Sequence, residues 1–187
     1  KLLFDKNVQA KFLDNLMFSL TEAQSRVSET ICADLNSAVP MLRLIQGDVG
    51  SGKTVVAALA AIQTIANGYQ VALMAPTEIL SDQHRINFEN WMSPLNIDVA
   101  LLTSNIKGKA RERVLDSIAK GLSQMVIGTH ALFQEGVDFN KLGLTIVDEQ
   151  HRFGVHQRLA LRKKGAITNM SSGANGILPH QLIMTAT

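Results

Sequence analysis

The chain has 187 residues, of which 46% are hydrophobic and 18% charged, and its formal net charge is +2. These proportions exclude a disordered chain and predict one domain with a buried core. The only cysteine is Cys32, which excludes an internal disulfide. The most apolar stretch is too short for a membrane-spanning helix, which needs about 20 apolar residues.

Short apolar runs alternate with helical patterns from one end of the chain to the other. They predict strands at 41–45, 71–75, 99–102, 125–128, 144–147 and 181–184, and helices at 5–17, 21–35, 54–66, 79–91, 109–119 and 156–164. Alternating strands and helices predict a three-layer α/β domain with a mainly parallel sheet flanked by helices. Because the runs carry apolar residues on both faces, we expect the strands to be buried on both faces. Residues 165–179 are rich in Gly, Ser and Asn and predict an exposed, mobile loop.

A phosphate-binding pattern lies between the first predicted strand and the helix at 54–66. GDVGSGKT, residues 47–54, matches G-x-x-x-x-G-K-[ST] in full. The glycines let backbone N–H groups face phosphate oxygens, Lys53 reaches the β- and γ-phosphates, and the Thr54 hydroxyl ligates Mg²⁺. The alternative is a glycine-rich turn with a chance lysine. The predicted nucleotide-binding residues are Gly47, Asp48, Val49, Gly50, Ser51, Gly52, Lys53 and Thr54.

Two adjacent acids end the predicted strand at 144–147. We assign Asp148 to Mg²⁺ and Glu149 to activation of the attacking water, because ligands of parallel sheets sit at the carboxyl ends of the strands. With Lys53 they form the predicted catalytic set. The alternative is a surface acid pair at a turn. The guanine-reading pattern Asn-Lys-x-Asp of GTPases is absent, and we find no acceptor site or lid of a small-molecule kinase.

The charged residues are unevenly distributed. Residues 150–187 contain five cations and no acid, which leaves residues 1–149 at −3. A second group of cations occurs at 107–113. Each basic patch fits an anionic partner such as DNA, or equally a solvent-exposed helix face.

Together the motifs resemble those of superfamily 2 helicases of the D-E-x-H group, in order and spacing over 18–187, and most of all the bacterial branch-migration helicases. GDVGSGKT resembles motif I and DEQH (148–151) motif II. The remaining similarities are APTEIL (75–80) to motif Ia, GTHAL (128–132) to motif Ib, TAT (185–187) to motif III, and LTEAQ (20–24) to the upstream glutamine element.

The resemblance implies a role for each matching residue. Gln24 would contact the adenine of ATP, against the less favoured alternative of a helix-surface glutamine. His151 would connect the ATP site to motif III, against the alternative of a core histidine; the coupling set is His151, Thr185, Ala186 and Thr187. Backbone and hydroxyl contacts to DNA would come from Pro76, Thr77, Thr103, Thr129, His130 and Arg152. Glu78 stands where many relatives have arginine, which weakens the phosphate contact of motif Ia.

The resemblance also implies an organisation and a function. Residues 18–187 would be a RecA-like first motor lobe that binds ATP and Mg²⁺, residues 1–17 a flanking helix or linker, and the chain would stop before the second lobe. The whole protein would be a bacterial, cytoplasmic ATP-dependent DNA helicase that remodels branched DNA in replication, recombination and repair. Its implied partners are branched or double-stranded DNA, the second lobe, an N-terminal wedge region and single-strand-binding protein, with no membrane.

Alternatives to this function stay open. One is the matching lobe of a transcription-repair coupling translocase, against which Gln150 argues, since those relatives usually carry a second acid there. Another is a nucleotide-binding module without motor activity. For the favoured helicase function, the isolated lobe, which lacks the arginine finger of a second lobe, is expected to be inactive or weak.

Overall fold

The computed structural model describes residues 1–149 and 178–187, and at residue 149 only the backbone. The predicted helix at 156–164 and most of the predicted loop at 165–179 lie outside the described residues. The strands are β1 Leu42–Gln46, β2 Gln70–Met74, β3 Val99–Leu102, β4 Met125–Gly128, β5 Leu142–Glu149 and β6 His180–Thr185. The helices are α1 Lys6–Asp14, α2 Glu22–Leu35, α3 Lys53–Ala66, α4 Glu78–Met92 and α5 Gly108–Ala119, with 3₁₀ turns at Ser93–Leu95 and His130–Phe133.

The six strands form one sheet in the order β1-β6-β5-β2-β4-β3, and every pair is parallel. The predicted three-layer α/β fold is therefore confirmed, and each predicted strand is present within a residue or two. Parallel strands place all their carboxyl ends at one edge of the sheet. The carboxyl ends of β1, β6, β5, β2, β4 and β3 consequently lie side by side along that edge.

Helix α3 is the centre of the larger core. Eleven of its fourteen residues, Val55 to Ile65, are buried, and its alanines allow α1, α2 and the sheet to approach closely. The one amide in this apolar helix, Gln63, donates from Nε2 to the carbonyls of Leu2 and Cys32 at 2.8 and 3.2 Å. The polar side chain thereby fastens the N-terminal segment to α2 and α3.

Alternate residues of the strands face two separate apolar clusters. Val71 and Leu73 pack with α3 and α4, whereas Ala72 and Met74 pack with Ile118 of α5 and the second 3₁₀ turn. This alternation is the period-two pattern of a strand covered on both faces.

Burial on both faces was predicted for every strand, and for β1 that prediction is wrong. Leu42 and Leu44 are 67% and 56% exposed, while Ile45 on the other face is buried. The described helix on their side of the sheet, α5, packs against β3, which is the opposite end of the sheet from β1. Apolar composition alone does not distinguish an edge strand from a central one.

Within the described ranges, no helix has both the length and the apolarity that crossing a membrane requires.

Candidate nucleotide and nucleic-acid site

The loop between β1 and α3 has the backbone that a phosphate-binding loop needs. Gly50 and Gly52 adopt φ values of +83° and +78°, which L-residues disfavour. Gly52 is also the N-cap of α3. The ammonium of Lys53 donates to the carbonyls of Gly47 and Asp48 at 2.6 and 2.8 Å. A phosphate that receives Lys53 must therefore replace hydrogen bonds made within the loop itself.

Gln24 is tied to the same loop from the start of α2. Its Oε1 accepts from the backbone N–H of Thr21 at 2.9 Å, and the Thr21 hydroxyl accepts from Gln24 N–H, which makes a capping box. Its Nε2 donates to the carbonyl of Ser51 at 3.0 Å, and a Cβ on Gly52 would collide with that amide. The adenine contact of Gln24 stays a prediction; here its amide braces the loop.

The magnesium candidate Asp148 is buried, with 6% of its surface exposed, near the end of β5. Its Oδ2 lies 2.7 Å from Nε2 of His84, which is 8% exposed and comes from α4. His84 was missed by sequence reasoning, because a histidine within a helix gives no local indication of a partner 64 residues away. Glu149 closes β5, and its side chain lies outside the described residues, as does His151.

A cavity of about 440 Å³ gathers these elements. Its walls come from the loop and the start of α3, from the α4 face that carries His84, from Asp148, and from Met184 and Ala186. Thr54 and Asp148 both line it, and a hydroxyl with a carboxylate is the oxygen donor set that Mg²⁺ prefers. In the described part of the chain no group of three or more His, Cys, Asp or Glu could hold a metal. Two protein oxygens completed by phosphates and water therefore fit Mg²⁺ better than a protein-only cage does.

The motif III residues contact the loop directly. The N–H of Gly47 donates to the carbonyl of Thr185 at 3.3 Å, and the Thr187 hydroxyl donates to Oδ1 of Asp48. Ala186, between them, lines the cavity. The parallel pairing of β1 with β6, which places Gln46 beside Thr185, brings these segments together.

The predicted DNA-contacting residues follow the other three strands. Pro76 and Thr77 come after β2, Thr103 after β3, and Thr129 and His130 after β4. Thr77 and His130 are exposed and Pro76 is half-buried. Thr103 and Thr129 are 4% and 3% exposed, so their hydroxyls are covered in this structure. Arg152 lies outside the described residues.

Two of these threonines already have a structural task. The Thr77 hydroxyl accepts from Leu80 N–H at 3.3 Å and caps α4, and the Thr129 hydroxyl accepts from Ala131 N–H at 3.5 Å and caps the second 3₁₀ turn. Glu78 accepts a hydrogen bond from the side-chain amide of Asn105. The acid in place of arginine thus connects α4 to the loop after β3.

Comparison with known proteins agrees with this geometry. Residues 21–187 match the DEAD/DEAH box helicase family. The chain is 56% identical over 186 residues to the ATP-dependent DNA helicase RecG of Haemophilus influenzae, covering 100% of this chain and 26% of that protein. It is 59% identical over 177 residues to the protein of the same name from Escherichia coli, covering 95% and 24%.

A solved structure of RecG bound to a three-way DNA junction superimposes with a TM-score of 0.83 at 40% identity, over 98% of this chain and 23% of that one. The chain thus spans about a quarter of the length of the relatives it matches.

Proposed function

The chain belongs to the DEAD/DEAH box helicase family, and from that premise we propose that it forms the first RecA-like motor lobe of an ATP-dependent helicase that remodels branched DNA. The lobe comprises residues 18–187, with 1–17 as a flanking segment. The rest of the motor is a second RecA-like lobe, and an N-terminal wedge region splits the junction. Single-strand-binding protein is a further partner, and the compartment is the bacterial cytoplasm.

One observation carries this proposal: a phosphate-binding loop, a buried carboxylate and the motif III segment meet in one cavity. A protein that only binds a nucleotide, without motor activity, needs the phosphate-binding loop alone. Contact between Thr187 and Asp48 adds a route by which a change at the phosphates reaches β6. Such a route is what a motor needs, because its nucleotide state must be passed to other parts of the chain.

Each site residue then has a defined task. Lys53 exchanges its loop carbonyls for the β- and γ-phosphates and neutralises their charge. Thr54 and Asp148 hold Mg²⁺, which supplies charge stabilisation during phosphoryl transfer. Glu149 orients the attacking water, and His151 joins this centre to Thr185 and Thr187. Gln24 positions the loop and, on nucleotide entry, turns its amide to adenine.

DNA would bind along the ends of β2, β4 and β3. Pro76, Thr77 and His130 are open to a strand there, with Thr103 and Thr129 beneath them and Arg152 as a further cation. Exposed lysines at 107 and 109 and Arg113 add positive charge beside that edge. Hydroxyl, backbone and cationic contacts to phosphate hold a strand without reading its sequence, as branched DNA of any sequence requires.

The first test is Mg-ATP binding and turnover by this chain and by a longer chain that includes the second lobe. We expect the 187-residue chain to bind a fluorescent ATP analogue with Mg²⁺, and Lys53→Ala to weaken that binding at least 30-fold, which corresponds to about 2 kcal/mol for a lost charge-assisted hydrogen bond. Lys120→Ala is the matched control, because Lys120 pairs only with Asp116 on the surface among the described residues.

Turnover separates the candidate functions. The longer chain should hydrolyse ATP faster with forked or Holliday-junction DNA than with linear duplex, whereas the 187-residue chain should hydrolyse little. Equal rates on branched and linear DNA would argue for a general translocase. Absence of any DNA effect in the longer chain would leave a nucleotide-binding module and contradict the proposal.

A further inference from the structure

His84 and Asp148 form a buried side-chain pair at the wall of the cavity. The Nε2–Oδ2 distance is 2.7 Å, and both side chains are about nine-tenths buried. A carboxylate oxygen accepts hydrogen bonds, so we place the hydrogen of the imidazole on Nε2, which donates. His84 Nδ1 has no hydrogen-bond partner within the described part of the chain. With the hydrogen on Nε2, only a lone pair is left unpaired, which costs less than a buried N–H.

A purely structural explanation fits this pair poorly. Burial of a carboxylate and an imidazole side by side gains little net stability, and apolar residues of the same volume often do as well. The imidazole also leaves one ring nitrogen, Nδ1, without a hydrogen bond among the described residues. Phe88 lies one helical turn after His84 on the same face of α4. It is fully buried in the apolar core, as expected of a position that only packs. His84 departs from that pattern at the one position that meets Asp148.

We propose that His84 is a positioning residue for the magnesium ligand of the proposed ATP site. Its Nε2–H holds Oδ2 of Asp148 and thereby fixes the rotation of the carboxylate at the cavity wall, where that carboxylate would hold the ion. A carboxylate that ligates a metal is commonly held by an outer hydrogen bond of this kind, which raises metal affinity by restricting orientation. The inference rests on the proposed function, because it takes Asp148 as the Mg²⁺ ligand.

The test is the Mg²⁺ concentration required for half-maximal binding of a fluorescent ATP analogue to the 187-residue chain. His84→Leu removes the donor, and we expect the required Mg²⁺ concentration to rise about 10- to 100-fold. Nucleotide binding in EDTA should change less than about twofold, because the loop and Lys53 are untouched. Equal Mg²⁺ requirements in wild type and His84→Leu would overturn the inference.

Two amide variants make the same test without loss of a polar group. The side-chain nitrogen of glutamine occupies the position of imidazole Nε2, whereas that of asparagine occupies the position of Nδ1. His84→Gln should therefore restore the Mg²⁺ requirement to within about threefold of wild type, and His84→Asn should behave like His84→Leu. If His84→Leu does not fold, the Gln–Asn contrast decides, and equal behaviour of those two variants would overturn the inference.

His180 provides a matched control for general destabilisation. It is 6% exposed, and its Nδ1 accepts from Met41 N–H at 3.0 Å, far along the chain from the loop. His180→Leu should lower the melting temperature and leave the Mg²⁺ requirement unchanged; a rise equal to that of His84→Leu would contradict the proposal. If the wild-type chain shows no Lys53-dependent Mg-ATP binding, the proposed function fails. If the wild-type chain binds Mg-ATP normally and His84→Leu has the same Mg²⁺ requirement, only the positioning role of His84 fails.

Discussion

The two halves of the sheet's carboxyl edge are built differently. At the ends of β1, β6 and β5, two side-chain pairs join segments that are distant in the chain, Thr187 with Asp48 and His84 with Asp148, while Lys53 bonds to its own loop. At the ends of β2 and β4, the hydroxyls of Thr77 and Thr129 bond locally and cap the helical turns that follow them.

The difference corresponds to what each half would hold. A triphosphate with its ion has a fixed shape, so its binding is favoured by a hydrogen-bond network that orients several side chains at once. A DNA backbone that slides past offers repeated phosphates, for which capped helical turns and exposed hydroxyls suffice. Helix α4 belongs to both halves, because it begins after Thr77 and meets Asp148 two turns later through His84.

The variant with the largest expected effect should disrupt only the nucleotide-binding half of the edge, at the ends of β1, β6 and β5. Asp148→Asn keeps an oxygen for His84 but removes the charge that would bind Mg²⁺ in the proposed site. We expect the Mg²⁺ requirement for ATP binding to rise more than about 100-fold, since even outer hydrogen bonds to such ligands are worth 10- to 100-fold. DNA binding, measured by fluorescence anisotropy, should stay the same.

Asp116→Asn is the control for this experiment, because Asp116 is an exposed acid paired with Lys120. Loss of DNA affinity in Asp148→Asn comparable with the loss of Mg²⁺ binding would show that the two halves are not separable.

The next effect tests how tightly the phosphate loop is braced. Gly52→Ala introduces a side chain at a φ of +78° and against the Gln24 amide. We expect a loss of about 3 kcal/mol in the free energy of unfolding, combining the left-handed conformation with overpacking, measured by urea denaturation. Adding Gln24→Ala makes room, so the double variant should lose less than Gly52→Ala alone. A double variant that loses the sum of both single effects would argue against the contact.

A smaller effect separates capping from DNA contact in the other half. Thr77→Asp keeps a good N-cap with a favourable charge at the start of α4, so stability should change by less than about 1 kcal/mol. The added negative charge opposes phosphate, and DNA affinity should fall several-fold, more at low salt than at high salt. Thr77→Asn, which keeps an N-cap without the charge, is the control. Equal DNA affinity of the two variants would show that Thr77 does not lie beside the bound DNA.

The smallest effect comes from a region outside both halves. Burial lowers the pKa of His180 below its usual 6.5. Its neutral Nδ1 accepts from Met41 N–H, a bond that protonation removes. Because the unfolded chain binds this proton more readily, stability is retained above about pH 6.5 and falls as the pH drops below it. The melting temperature should therefore decline from pH 7.5 to 5.5, and less steeply in His180→Gln.

The sequence predicted this fold well because its main signals are local. Each strand is a short, mostly apolar run, each described helix is either amphipathic or, like α3, a longer apolar segment, and the parallel sheet follows from their alternation. GDVGSGKT is likewise contiguous, so its shape was predictable. Burial of β1 was not, because a strand's place at the edge depends on the order of all six strands.

The site was less predictable where it depends on distant pairs. His84 has no feature that distinguishes it from another helix residue, and its partner lies on β5. The capping box of Gln24 did have a signal, the Thr-x-x-Gln spacing of Thr21 and Gln24. The Gln24 amide serves the start of α2 and the phosphate-binding loop together.

The exposed face of β1 has a consequence for handling the protein. Among the described strands β1 pairs only with β6, so within residues 1–149 and 178–187 its outer backbone edge has no strand partner beside the exposed Leu42 and Leu44. An open, apolar strand edge is a template for pairing with another chain. Preparations of these 187 residues should therefore self-associate as concentration rises, and a charged residue in place of Leu44 is the simplest way to keep them monodisperse.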